Sequence, residues 1–113
     1  MRLRFVIASS AATLIATAAN AKDTQFWNLT ANTITSLQLS SAGQNQWGTD
    51  QTANDPDHAV DHDERLKILD AASGAYDVRF TDKSGRTCVV ANVAVKQGKV
   101  FSIEEKDLKG CAR

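Results

Sequence analysis

Tyr76-Asp77-Val78-Arg79-Phe80-Thr81 alternates strictly between apolar and polar side chains. Tyr76, Val78 and Phe80 point one way while Asp77, Arg79 and Thr81 point the other, as in a strand with one wet face. The run stops at Asp82-Lys83-Ser84-Gly85, where glycine is free to take a positive φ and reverse the chain. Residues 86–95 follow, dense in β-branched side chains. Val89, Ala91, Val93 and Val95 share one face; Cys88, Val90, Asn92 and Ala94 share the other. A second turn, Lys96-Gln97-Gly98-Lys99, leads into Val100–Glu104, where Phe101 and Ile103 fall on one side. Three such runs joined by tight glycine-containing turns predict an antiparallel meander.

Upstream, the same period recurs less sharply. Residues 24–30 carry Phe26, Trp27 and Leu29, and residues 33–40 set Thr35, Leu37 and Leu39 against Ile34, with Asn32 as the turn between them. Residues 65–69 form a short strand closed by Asp70-Ala71-Ala72-Ser73-Gly74. No helix-length stripe of period 3.6 competes. About six strands at this spacing predict an all-β fold, a small antiparallel β-sandwich of immunoglobulin-like size. A small closed barrel is the competing architecture.

The amino terminus states a destination. Arg2 and Arg4 precede an apolar run over residues 5–16, and Thr17-Ala18-Ala19-Asn20-Ala21 places small side chains at Ala19 and Ala21. This is the layout of a secretory signal, with cleavage expected between Ala21 and Lys22. The run falls well short of the roughly 20 residues a bilayer demands, and no cysteine stands at the cleavage site for lipid attachment. Residues 1–21 are therefore expected to be a signal peptide and residues 22–113 one β-sandwich domain, periplasmic or secreted. In that oxidising setting Cys88 and Cys111, the only two cysteines, have one intramolecular pairing. The disulfide would close a loop of about two dozen residues, worth on the order of 3 kcal/mol.

The whole chain has 13 basic and 13 acidic residues; loss of Arg2 and Arg4 leaves a formal charge of about −2. The distribution is lopsided. Asp50, Asp55, Asp57, Asp61, Asp63 and Glu64 stand together with no Lys or Arg among them, whereas bases outnumber acids from Arg65 onward. Nucleic-acid binding calls for a dominant basic face with stacking aromatics, which is missing here. No basic amphipathic helix points to membrane adsorption, so no stable membrane insertion is expected after the signal is removed.

The acidic stretch lies in an irregular segment over residues 41–63, longer than a compact domain usually spends on a connection, and such loops tend to carry function. Within it, His58 and His62 are flanked by Asp57 and Asp61. In a helical turn the two imidazoles would lie about 6 Å apart and could share a divalent cation. In an extended chain they would stand roughly 13 Å apart. Pro56 beside Asn54-Asp55 favours a turn, and the calcium-loop pattern fails because Asp55 stands where glycine belongs. Trp47-Gly48 in the same loop has two readings: an exposed partner anchor, or a cap folded over the core. Asn28-Leu29-Thr30 matches the N-glycosylation triplet but sits inside a strand-like run. There is no Gly-x-Ser-x-Gly elbow, no phosphate-binding glycine loop and no positioned carboxylate pair, so no catalytic residue is assigned and no enzyme is expected.

Two longer patterns carry a resemblance. The first runs Asn28-x-Thr30, Ile34, Leu37, Ser40, Gly43 and Trp47-Gly48-x-Asp50; the second runs Tyr76-Asp77-Val78-Arg79-Phe80-x-Asp82-x-x-Gly85-x-x-Cys88. Together they resemble a family of small exported bacterial proteins predicted to be β-sandwiches, over most of residues 26–88. Some relatives bear the name argininosuccinate lyase, an activity this chain has neither the length nor the signature loop to support. The resemblance implies an exported β-sandwich in which a variable acidic stretch follows Trp-Gly-x-Asp; it brings no catalytic residues. The expectation is a non-catalytic binding module for a protein or small ligand of the cell envelope, with Trp47 and Asp50 on its contact loop and no cofactor. The alternative is a divalent-metal binder using His58, His62, Asp57 and Asp61.

Overall fold

A computed structural model describes residues 22–113. The expected signal peptide, with Ala19 and Ala21, lies outside the described residues, and Lys22 opens them. Seven strands follow: β1 (Thr24–Leu29), β2 (Ile34–Ser41), β3 (Arg65–Ile68), β4 (Gly74–Asp82), β5 (Thr87–Val95), β6 (Val100–Glu104) and β7 (Gly110–Ala112). They form two sheets, ordered β3-β1-β6 and β2-β4-β5-β7. The sheets share no strand, so the architecture is a sandwich and not a closed barrel. The core fills the gap with Phe26, Leu66, Ile68, Phe101 and Ile103 from the smaller sheet. Ile34, Leu37, Leu39, Val78, Phe80, Cys88 and Val95 meet them from the larger.

The expected meander needs correction. β4 and β5 do form an antiparallel hairpin, but β6 leaves it, crosses to the smaller sheet and runs parallel to β1. The turn at residues 96–99 is local, with the Lys99 N–H donating to the Lys96 carbonyl (3.0 Å). It reverses the chain without choosing a sheet. Phe101 chooses it, burying its ring 5.5 Å from that of Phe26 on β1. The seventh strand, β7, sets Cys111 directly opposite Cys88 on β5, and the two form the expected disulfide.

Two bulges change which residues face inward. On β2, Ile34 pairs with Asp82 and Ser36 with Thr81, so one extra residue enters β2. Ile34 therefore joins Leu37 and Leu39 in the core instead of opposing them. On β5, Val93 pairs with Tyr76 but Val90 with Val78. Asn92 absorbs the surplus at φ 56, a left-handed conformation asparagine tolerates, and its N–H donates to Asp77 Oδ1 (3.1 Å). The alternation flips there: Cys88 and Val90 turn inward below the bulge, Val93 and Val95 above it.

Polar groups do structural work inside this small core. On β1 the inward residues are Thr24, Phe26 and Asn28, while Trp27 and Leu29 take the outer face. Asn28 has no exposed surface, yet its amide is fully engaged. Nδ2 donates to the carbonyls of Asn32 (3.0 Å) and Val60 (2.9 Å), and Oδ1 accepts from the Thr30 N–H (2.9 Å) and hydroxyl (2.7 Å). This burial removes the Asn28-Leu29-Thr30 triplet from any surface role.

At one end of the sandwich, Arg86 ties the two sheets together. Its Nε donates to Asp82 Oδ2 (2.7 Å), and its terminal nitrogens grip both oxygens of Glu105 (2.8 and 2.9 Å). Burial alone would raise the Asp82 pKa. Hydrogen bonds from Arg86, Ser84 and Asn32 outweigh it and hold the carboxyl at about 2. Glu105 is also lowered, first by Arg86 and then by the Ala31 N–H.

Candidate acidic loop

The segment between β2 and β3 carries the acidic cluster, and its first half covers an edge. β2 is an outer strand of its sheet, so its free N–H and C=O groups would otherwise invite another chain. The loop meets them in order. The Gly48 N–H donates to the Leu39 carbonyl (2.9 Å), and the Leu37 N–H donates to Asp50 Oδ1 (3.0 Å). Ile34 and Val60 exchange two backbone bonds (2.9 Å each). Asp50 Oδ1 also accepts from the Thr52 N–H (3.0 Å) and hydroxyl (2.8 Å), starting a single 3-10 turn at Gln51–Asn54.

From that turn the loop reaches the smaller sheet. Gln51 bonds both the N–H and the carbonyl of Leu69 (3.0 Å each), and Asn54 Nδ2 donates to the Lys67 carbonyl (2.8 Å). The far end is fixed to β1, where Asn28 exchanges backbone bonds with Asp63 and Glu64 (2.6 and 2.9 Å). One flank of the sandwich is thus closed by a braced segment, with Thr52 and Val60 buried beneath it.

What remains outside is acidic. Asp57, His58, Asp61, His62, Asp63 and Glu64 are exposed, and Asp55 is half-buried. His58 (φ 53) and Asp63 (φ 71) hold left-handed backbone, which costs free energy unless the surroundings impose it. Local bonds fix this rim. Asp61 Oδ1 accepts from the Thr33 hydroxyl (2.8 Å), Glu64 Oε1 from the Asp61 N–H (2.8 Å) and Asp63 Oδ1 from Trp27 Nε1 (3.0 Å). His62 Nδ1 lies 2.7 Å from the Thr30 carbonyl, an acceptor that requires the proton on Nδ1.

The structure places the predicted site residues as follows. Asp50 is exposed but serves as the loop's brace, its carboxylate engaged by the backbone of β2. Trp47 neither caps the core nor stands free. It lies half-buried on the outer face of the larger sheet, with the Arg79 guanidinium 4.4 Å above its ring and its Nε1 donating to Asn45 Oδ1 (3.1 Å). Arg79 is steadied by two bonds to Gln38 Oε1 (3.2 and 2.8 Å). Asp57, His58, Asp61 and His62 share the loop's exposed rim without gathering. Among the described residues, no three His, Cys, Asp or Glu side chains converge to hold a metal ion.

Sequence reasoning missed Arg79 as the partner of Trp47, and Arg65 as the partner of Trp27, whose ring it covers at 4.7 Å. The signal for Arg79 was present in its place on the wet face of β4; what occupied that face was not. No known family model matches the chain, and no curated protein or solved structure is significantly similar to it.

Proposed function

We propose that the protein is an exported, non-catalytic binding domain of the cell envelope whose contact surface is the acidic rim over residues 55–64, and whose partner presents a basic segment. One observation carries this reading: the loop is fixed to β1, β2 and the β3 segment, while Asp57, Asp61, Asp63 and Glu64 remain exposed on its rim. A flexible acidic loop would lose conformational entropy on binding; a braced one has already lost it in folding. Opposed charges would steer and orient the encounter. The Cys88–Cys111 disulfide supports maturation in an oxidising compartment.

Deleting the loop would strip the edge of β2 and confuse binding with folding. The informative variant is isosteric: Asp57→Asn, Asp61→Asn, Asp63→Asn and Glu64→Gln together. Each amide keeps an acceptor oxygen, so the bonds from Thr33, Trp27 and the Asp61 N–H persist while four charges go. The immobilised protein should retain a salt-sensitive partner from envelope extract, and the variant should lose it. An unchanged partner set would refute the assignment.

A further inference from the structure

The outer face of the smaller sheet has the opposite chemistry. Along β1 and β3, Gln25 pairs with Lys67 and Trp27 with Arg65, so these side chains line one surface. Where β1 begins, the surface sinks into a cleft of about 410 Å³ between Lys22, Asp23, Gln25, Arg65, Gly98, Lys99 and Val100. Three of those seven residues are cations. The one acid in the lining, Asp23, lies 3.7 Å from the Lys67 ammonium. Among the described residues, Lys22, Arg65 and Lys99 make no ion pair.

The walls are built. Arg65 is held over Trp27, whose indole N–H is fixed by the Asp63 carbonyl (3.2 Å) and carboxylate (3.0 Å). The Lys99 carbonyl accepts from the Gln25 N–H (3.1 Å), and the Gly98 N–H donates to the Thr24 hydroxyl (2.9 Å). Gly98 has φ +80, and a Cβ there would come within 3.3 Å of the Lys22 carbonyl. Glycine thus allows the turn before β6 to close against the chain entering β1, which brings Lys22 and Lys99 to one cleft. The guanidinium offers a planar fork of donors suited to phosphate or carboxylate, while the ammonium groups act as mobile point charges. Val100, 42% exposed, adds an apolar lip.

We infer that this cleft is an oxyanion site for a phosphorylated ligand carrying at least two negative charges, with Arg65 as the oriented donor and Lys22 and Lys99 as charge partners. Like charges confined to one cleft repel, and a multivalent anion removes that penalty where a monovalent one does so only in part. A free phosphorylated solute and a lipid headgroup offer the same chemistry, so the probes must separate them.

The test is calorimetric titration of the protein with inorganic pyrophosphate at low ionic strength, repeated with Lys99→Gln and Arg65→Gln. Lys99→Gln leaves the Arg65–Trp27 stack and the backbone contacts in place, and a thermal melt checks that each variant is folded. The expected result is saturable binding that weakens about tenfold in each variant, the loss of one charge-assisted contact, and that falls with added salt. Sedimentation with phosphatidylglycerol vesicles, competed by pyrophosphate, assigns the ligand to a headgroup. Pyrophosphate binding without vesicle binding assigns it to a soluble molecule. Absence of both, or binding unaltered in folded Lys99→Gln and Arg65→Gln, would overturn the site.

Discussion

Replacing Arg86 with methionine tests the ionic tie between the sheets most directly. The substitution keeps an unbranched apolar stem but removes all three charged bonds, one to Asp82 and two to Glu105. Asp82 has no exposed side-chain surface and would keep only its Ser84 and Asn32 donors. Breaking a buried pair typically costs 3–5 kcal/mol; because Glu105 is about half exposed, the lower end applies, about 3 kcal/mol at pH 7. For a domain of this size that corresponds to a melting temperature lower by about 15 °C.

The pH dependence gives a second, independent readout. The Asp82 carboxyl is depressed from 3.8 to about 2 in the folded state. Its contribution is therefore complete above about pH 4 and disappears as the pH falls through about 2, a total on the order of 2 kcal/mol. Methionine at position 86 raises that folded-state pKa, so the variant has less to lose in the same window. Urea denaturation at pH 7, 4 and 2.5 should show the gap between wild type and Arg86→Met narrowing toward acid. A gap below about 1 kcal/mol at pH 7, or one of equal size at pH 2.5, would refute the argument.

Asn28→Ala strands the Thr30 N–H in the core, while the Val60 carbonyl keeps its bond from the Ile34 N–H; equilibrium unfolding in urea should register a loss of about 1–3 kcal/mol. Asn92 distinguishes backbone conformation from side-chain contact. Asn92→Gly should be nearly neutral in thermal melts, whereas Asn92→Val, forced into left-handed backbone, should cost about 1–2 kcal/mol. Asp50→Ala uncovers the Leu37 N–H on the edge of β2. It should lower stability by about 1–2 kcal/mol and produce concentration-dependent association in analytical ultracentrifugation.

The fold class, the β4–β5 hairpin and the disulfide were legible because each rests on local signals: strict alternation, a glycine turn, and two cysteines with one possible pairing. Inward and outward faces were legible only between bulges. A period-two count along β5 runs through Asn92 without noticing that the chain slips there by one residue, so Val89 and Ala91 were grouped with Val93 and Val95. The same blindness placed Ile34 opposite Leu37. The crossing of β6 was hidden for a different reason, since Lys96-Gln97-Gly98-Lys99 has the chemistry of a hairpin turn and the choice of sheet belongs to Phe101 meeting Phe26. In the acidic segment, composition announced exposed charge but not that Asp50 would turn its carboxylate to the backbone of β2. The basic cleft was not legible at all, because Lys22, Arg65 and Lys99 meet only after three separate strands have paired.

The parallel pairing of β1 with β6 has a kinetic meaning. β1 is the middle strand of its sheet, yet the neighbour at Val100–Glu104 emerges some seventy residues after it. Closing so large a loop must precede any reward from Phe26 meeting Phe101, so completion of the smaller sheet is a late and non-local event. The β4–β5 hairpin can assemble early, whereas Phe26 waits for Phe101 until residues 100–104 have appeared. A nascent chain of this design stays without its smaller sheet until residues 100–104 have been made, which leaves it open to unfolding forces while the hairpin is already paired.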